Sequence, residues 1–201
     1  MNADKIMEQE DFRRCAEFHG HFCPGLAIGY RAGKAALEWL AERRAPDEEI
    51  VATVETNACG TDAIQVLTGC TLGKGNLLCR DQGKHAYTIV SRKTGEGVRI
   101  ALLHGVMNLN DRHLDLIQKI REDRATPEEK SEFQALHLNK GRELLETPLE
   151  ALFSIRKTST PVPEKAVIEP SRPCDRCGEP AMISRMVTVD GRTLCGDCAE
   201  S

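Results

Sequence analysis

Residues 18–33 read FHGHFCPGLAIGYRAG, and this stretch decides how the first half of the chain folds. Pro24 stands where the first turn of a helix would begin, a position at which a missing amide hydrogen costs nothing. Gly25, Gly29 and Gly33 recur at every fourth position and therefore share one face of that helix. Each glycine costs up to about 1 kcal/mol inside a helix. We therefore expect another backbone to approach this face closely.

Three side chains with metal-binding chemistry precede this helix, because His19, His21 and Cys23 stand at alternate positions. In an extended segment alternate side chains point to the same side, so the three can converge on one ion or substrate. Imidazole and thiolate suit zinc, nickel or iron better than magnesium or calcium. The alternative is structural, with histidines that cap a loop and a buried cysteine. His19 and His21 are our candidate metal ligands, and Cys23 is a candidate catalytic thiol.

A second block, ETNACGTDAIQVLTGCTLGKGN, covers residues 55–76 and begins at the end of a predicted strand at 50–56. Cys59 comes immediately before a predicted helix, whose N-terminal dipole favours a thiolate. Asp62 lies three residues further on, and both residues join Cys23 as candidate catalytic groups. The sequence leaves open whether the two blocks meet. It also leaves open whether the cysteines are protonated packing residues.

The loop at residues 69–75, GCTLGKG, invites comparison with a phosphate-binding loop of nucleotide hydrolases. Only three residues separate Gly69 from the Gly-Lys pair, where such a motif has four, and Gly75 replaces the serine or threonine that binds magnesium. The motif therefore fails as a nucleotide site. Lys74 remains a candidate cofactor-binding residue for a small anion, together with the backbone N–H groups of the loop.

The strongest metal signal lies at the end of the chain, where two C-x2-C pairs are separated by 17 residues: Cys174 with Cys177, and Cys195 with Cys198. Four thiolates complete a tetrahedral zinc shell. A segment of 28 residues buries too little apolar surface to fold unaided, so metal binding would supply its folding energy. Packing cysteines, a redox dithiol or an iron site are the alternatives. We predict a structural zinc ion.

The domain organisation follows from the prolines, four of which, out of nine, fall in residues 157–173. Because this stretch has neither a helical nor a strand period, it is predicted to be an extended linker. We predict a core domain at residues 1–156, this linker, and a four-cysteine zinc-finger module at residues 174–201.

Strands are predicted at residues 50–56, 86–90 and 98–102, the last two joined as a hairpin. The sequences TPEE at 126–129 and TPLE at 147–150 predict capping boxes at two helix starts. Helices therefore precede and follow the strands instead of alternating with them. This order predicts an α+β core with a small, mostly antiparallel sheet and packed helices.

Composition excludes several classes of protein. The 201 residues are 40% apolar with a net charge of -4, which allows a packed core and gives no electrostatic reason to bind nucleic acid or an anionic membrane. Residues 174–201 carry three basic and five acidic side chains, so the module lacks a basic face and a structural or protein-contact role is favoured. No apolar run resembles a signal peptide or a membrane span. With nine cysteines and no export signal, we expect a cytoplasmic protein.

The two blocks, at 18–33 and 55–76, together with the later strand pair, resemble the FmdE family, named after a component of formylmethanofuran dehydrogenase. The tail CDRCGEP…GRTLCGDC is similar to the treble-clef zinc finger that some members append. The resemblance implies an α+β core, a homodimer, and a core cleft lined by five residues of this chain: His19, His21, Cys23, Cys59 and Asp62. Such a cleft is a candidate for a second metal ion. The family name reflects an operon association with molybdenum or tungsten enzymes of one-carbon metabolism.

Three functions stay open from the sequence. The first is a metal-binding accessory protein of this type that serves a redox enzyme complex, which would explain two separate clusters of soft ligands. The second is an enzyme with a thiolate at Cys59 or Cys23 and a histidine as base or metal ligand. The third is a zinc-finger adaptor that docks on a protein partner. The sequence does not decide whether the chain is an enzyme.

Overall fold

The computed structural model describes residues 2–159 and 161–201. The chain divides into two compact units. The first, Met1–Lys165, is here called the body, and the second, Ala166–Ser201, is here called the finger. The helices of the body are α1 (Ala3–Met7), α2 (Glu10–His19), α3 (Pro24–Trp39), α4 (Gly60–Thr68), α5 (Asp111–Arg121), α6 (Pro127–Glu146) and α7 (Leu149–Leu152). Its strands are β1 (Ile50–Val54), β2 (Leu77–Cys79), β3 (Ala86–Ser91), β4 (Gly97–Leu102) and β5 (Phe153–Thr158).

The strands of the body form one five-stranded sheet in the order β2-β1-β3-β4-β5. The α+β prediction and the β3–β4 hairpin are confirmed. The sheet is mixed, because β1 and β2 run parallel while the other three pairs are antiparallel. Apolar side chains that alternate along the central strands join the core beneath the helices: Ile50, Ala52, Val54, Tyr87, Ile89, Val98 and Ile100.

The glycine face of α3 packs on α4 within the same chain. A Cβ atom placed on Gly29 would lie 2.1 Å from the carbonyl oxygen of Gly60, and one on Gly33 would lie 2.7 Å from a methyl group of Leu67. The expected close approach of another backbone is confirmed. It brings the N-terminus of α3, at Cys23, beside the N-terminus of α4, at Cys59.

One of the two predicted capping boxes is confirmed. Thr126 and Glu129 exchange the two capping hydrogen bonds at the start of α6. The second is wrong, because the Thr147 hydroxyl donates to the carbonyl of Glu143 and so closes the end of α6. The following helix, α7, is a single turn. No helix among the described residues has both the length and the apolarity to cross a bilayer.

The predicted linker at 157–173 contains residues of both units. Its first two residues end β5, and its last three form a strand of the finger, β6 (Ser171–Pro173). Between them, the Arg92 guanidinium donates to the Pro163 carbonyl at 2.6 Å and so ties part of this segment to the body. Position 160, within this segment, and position 1 lie outside the described residues.

The finger consists of two short hairpins and a helix. Its elements are β6, β7 (Pro180–Met182), a 3-10 turn (Ile183–Arg185), β8 (Val187–Val189), β9 (Arg192–Leu194) and α8 (Gly196–Glu200). Asp190 and Gly191 join β8 to β9 with positive φ angles of 49° and 75°, as a two-residue hairpin turn requires. An Asp-Gly pair is a sequence signal typical of this turn.

Candidate metal centres

The four cysteine thiols of the finger meet at one point. The Sγ atoms of Cys174, Cys177, Cys195 and Cys198 all lie within 4.8 Å of one another. Those of Cys177 and Cys195 are 3.8 Å apart, the edge of a tetrahedron around zinc with Zn–S bonds of about 2.3 Å. A turn closed by the Gly178 N–H holds the first pair, and the start of α8 holds the second. The donor set and its spacing fit a zinc ion.

The electrostatics of the finger thiols also favour a cation. Backbone N–H groups, first that of Cys177 and then that of Cys195, lower the pKa of Cys174 to about 6. The Cys195 N–H lies 3.3 Å from the Cys174 sulfur. In contrast, burial and the neighbouring thiols raise the pKa of Cys198 to about 12. Four thiolates therefore need a metal ion to offset their mutual repulsion.

In the body, a second cluster forms at the end of α2. His19 is the last residue of α2, and Gly20 follows it in the left-handed conformation with φ 88°. This turn sets the ring of His21 4.5 Å from the ring of His19. The ligand atoms of His19, His21 and Cys23 lie within 4.8 Å of one another. The three side chains meet through a helix end and a left-handed turn, and the extended geometry expected from the sequence is wrong.

Asp62 fixes the orientation of His19. Its Oδ2 atom accepts a hydrogen bond from Nδ1 of His19 at 2.7 Å. We infer from this pairing that the ring proton is on Nδ1 and that Nε2 keeps a free lone pair. That Nε2 atom lies 3.8 Å from the sulfur of Cys23. Gln65 supports the carboxylate by donating to Oδ1 at 3.2 Å. Gln65 was not among the residues predicted for this site, although its spacing of three from Asp62 on one helix is a usable signal.

Cys23 is the N-cap residue of α3, and its sulfur accepts a hydrogen bond from the Leu26 N–H at 3.3 Å. Burial raises the pKa of Cys23 to about 11; the Leu26 N–H lowers it and the Cys59 thiol raises it. A Cβ atom placed on Gly25 would lie 3.6 Å from the Cys59 sulfur and 3.8 Å from the Cys23 sulfur. The two sulfurs therefore border the same small space, and half-buried Cys59 adjoins the cluster.

Lys74 makes its contacts within its own loop and with the chain before β1. Its ammonium donates to the Asp47 carbonyl at 2.9 Å, and its backbone N–H donates to the Thr71 hydroxyl at 3.3 Å. The Asn76 side chain also donates to Asp47, at 3.3 Å. Lys74 therefore ties the glycine loop to the segment that precedes β1.

The body and the finger each match a known family model. A family model described as FmdE, molybdenum formylmethanofuran dehydrogenase operon, matches residues 18–154. Residues 168–201 match a model described as the prokaryotic dksA/traR C4-type zinc finger. The first match includes His19, Cys23 and Asp62, and the second includes all four finger cysteines.

Two individual proteins are similar over most of this chain. A protein of Archaeoglobus fulgidus named a probable S-adenosyl-L-methionine-binding protein is 38% identical over 195 residues, or 94% of this chain and 52% of that protein. The chain thus spans about half the length of that relative. The crystal structure of a tungsten formylmethanofuran dehydrogenase FmdE-like protein from Syntrophus aciditrophicus superimposes with a TM-score of 0.63 at 24% identity, covering 98% of this chain and 91% of that one. This second likeness supports the fold.

Proposed function

The chain belongs to the FmdE family, and we propose that it is a zinc-binding accessory protein with two metal sites. One site is the four-thiol cluster of the finger, whose spacing and match to a C4 zinc-finger model support structural zinc. The other site is the core cluster, defined here as His19, His21 and Cys23. Its occupation by a metal is our proposal.

The observation that carries the core site is the line of contacts from Asp62 through His19 to Cys23. Metal-bound histidines typically donate their second ring N–H to a carboxylate, as His19 does to Asp62 at 2.7 Å. Its free Nε2 atom and the Cys23 sulfur, 3.8 Å apart, can both reach one zinc ion with bonds of about 2.0 to 2.3 Å. His21 adds a third donor.

Three protein ligands leave the fourth position of a tetrahedral zinc ion for water or a substrate. With that position open, the metal would act as a Lewis acid on a bound substrate or would activate a bound water. The chain itself supplies orientation: Asp62 fixes the His19 ring, and the Leu26 N–H holds the Cys23 sulfur at 3.3 Å. Exposed His21 marks the side on which a ligand would enter.

We further propose that the protein serves a molybdenum or tungsten redox enzyme of one-carbon metabolism. The description of the matched family, with its molybdenum formylmethanofuran dehydrogenase operon, supports this association. Sedimentation of the zinc-loaded chain with a purified formylmethanofuran dehydrogenase tests it. The two proteins are expected to sediment together as one complex at micromolar concentration. Independent sedimentation of the two would contradict the proposal.

The finger is proposed to be a treble clef that contacts a protein partner. The order of a cysteine turn, the β8–β9 hairpin and α8 supports that assignment. Several large apolar side chains of the finger are exposed, which suits a protein contact: Val167, Ile168, Met182, Ile183, Val187 and Val189. Its excess of acidic side chains disfavours nucleic acid.

A second candidate function is an enzyme that uses a core thiol, which the Asp62–His19–Cys23 line of contacts also permits. In that case His19 would be the base and Cys23 the nucleophile. The pKa of Cys23, raised to about 11 by burial, disfavours a free thiolate at neutral pH and favours a metal-bound one. For that reason the metal site is the proposed function.

Cobalt substitution tests the core site directly. With all four finger cysteines replaced by Ser, the finger offers no thiolate, so that cobalt bound through sulfur reports on the core. A thiolate-to-cobalt charge-transfer band is expected, and it should vanish in Cys23→Ser and weaken strongly in His19→Ala. Cys79→Ser, which changes an exposed thiol on β2, is the matched control and should keep the band. Absence of the band in the parent protein would contradict the proposal.

A further inference from the structure

Cys23 and Cys59 border one small space where helices α3 and α4 pack closely. Each residue stands at the N-terminus of its helix, α3 or α4. The backbones of these helices touch where Gly29 meets Gly60. Both sulfurs lie within 3.8 Å of the point where a Gly25 Cβ would be, so the absence of that side chain leaves the space between them open. Two thiols that border one small space are candidates for a disulfide, whose sulfurs lie about 2.05 Å apart.

We infer that Cys23 and Cys59 form a reversible disulfide on reaction with a low-molecular-weight disulfide, and that this bond controls metal binding by the core cluster. The inference rests on the proposed metal site for its consequence, although not for the bond itself. Cys23 is the sulfur donor of that cluster. Once it is bonded to Cys59, it no longer offers a thiolate to a metal.

The two thiols differ in access, which sets the order of events. Cys59 is half-buried, whereas Cys23 is 3% exposed. A small disulfide therefore meets Cys59 first, and Cys23 acts as the resolving thiol. The other buried cysteines of the body lack this arrangement in their contacts: Cys70 donates to the Ile50 carbonyl, and Cys15 is fully buried.

The reaction balances as two thiol–disulfide exchanges. In the first, the Cys59 sulfur attacks one sulfur of the small disulfide and forms a mixed disulfide, and the released thiolate takes the proton of Cys59. In the second, the Cys23 sulfur attacks the Cys59 sulfur, the mixed disulfide bond breaks, and the second small thiol leaves with the proton of Cys23, or with a proton from water where Cys23 had been a zinc-bound thiolate. Two cysteine thiols are oxidised, and one small disulfide is reduced to two thiols.

The experiment treats the zinc-loaded full chain with oxidised glutathione. Disulfides are mapped by mass spectrometry of peptides without reduction, and zinc per chain is counted before and after treatment. Exposed Cys79 shows that the reagent has reacted, and buried Cys15 is an internal negative control. Cys59→Ser is the matched variant: it should keep its core zinc and leave Cys23 unmodified, whereas wild type should gain the Cys23–Cys59 bond and lose one zinc ion.

The outcomes separate the two proposals. A Cys23–Cys59 bond in a chain that held no core zinc before treatment would support the disulfide and contradict the metal site. Free Cys23 and Cys59 thiols in a sample whose Cys79 is fully modified would overturn the disulfide, whatever the zinc content. Loss of zinc from Cys59→Ser, in a sample whose finger cysteines stay unmodified, would overturn the proposed control of metal binding.

Discussion

The Nδ1 atom of His19 lies 2.7 Å from the Oδ2 atom of Asp62, although the two residues are 43 positions apart in the sequence. This contact joins the end of α2 to the first turn of α4. It determines which nitrogen of His19 faces Cys23. The chemistry proposed for the core cluster depends on this orientation.

Asp62→Asn is expected to weaken zinc binding by the core cluster about 10- to 100-fold, because the amide keeps the shape of the carboxylate and removes its charge. The affinity is measured by competition with a chromogenic chelator, in protein whose finger cysteines Cys174 and Cys177 are Ser. Asp81→Asn is the control, since Asp81 only caps its own turn at Gly83. Equal affinity in Asp62→Asn and the parent would show that the contact does not orient a ligand.

Gly29→Ala is expected to lower the free energy of unfolding of the body by about 1–3 kcal/mol or more, because its Cβ would meet the Gly60 backbone at 2.1 Å. Urea unfolding followed by circular dichroism measures the change. Gly73→Ala is the matched control, since a Cβ atom there meets nothing within 4 Å. If the two variants had the same stability, the close helix crossing would be wrong.

Acidification is expected to destabilise the contact between α5 and α6, where Nε2 of His113 lies 3.1 Å from Nδ1 of His137. Burial is the main cause that lowers the pKa of both histidines. The charge of Lys140 lowers the pKa of His113 further, and His113 and His21 lower the pKa of His137 further. As the pH falls through about 6.5, the unfolded chain takes up protons that the folded protein does not. The free energy of unfolding should therefore fall, by at most about 1.4 kcal/mol per pH unit for each histidine.

Chemical denaturation between pH 7.5 and pH 5 measures this dependence. His113→Gln keeps a hydrogen-bonding side chain and cannot titrate, so its stability should fall less steeply than that of wild type. The control is His104→Gln, at an exposed position. Parallel curves for wild type and His113→Gln would contradict the assignment.

The full chain is predicted to be a homodimer, with a mass by light scattering of twice 22.2 kDa. The glycine face of α3 is already covered by α4 and is not free for this contact. Leu114 of α5 and Leu138 of α6 are 52% and 41% exposed. Replacing both with Lys should shift the protein toward the monomer. A monomeric wild type at micromolar concentration would end the prediction.

Local signals in the sequence predicted much of this molecule. The cysteine pairs, Pro24 at a helix start and the turn at Asp190-Gly191 each depend on residues a few positions apart, so spacing alone carries them. The glycine period of α3 predicted a backbone contact, although not which element supplies it. Likewise, the local sequence correctly placed Cys59 at a helix start, but it did not show whether Cys59 approaches Cys23.

Features that depend on tertiary packing could not be predicted. Strand β5 exists because it pairs with β4, and its last two residues, at 157 and 158, lie in a stretch whose prolines indicated a linker. Thr147 precedes Pro148 as an N-cap residue would, yet its hydroxyl donates a hydrogen bond to the Glu143 carbonyl in the last turn of α6. The His19–Asp62 contact likewise requires the left-handed turn at Gly20 and the packing of α2 on α4.

The number of zinc ions per chain distinguishes a protein with two metal sites from one with the finger site alone. Zinc is counted by mass spectrometry of the element after gel filtration, in wild type, in Cys174→Ser/Cys177→Ser, in His19→Ala/Cys23→Ser, and in the chain with all four changes. We predict two ions in wild type, one in each double variant and none in the combined variant. One ion in wild type that is retained by His19→Ala/Cys23→Ser and lost from the finger variant would contradict the core metal site.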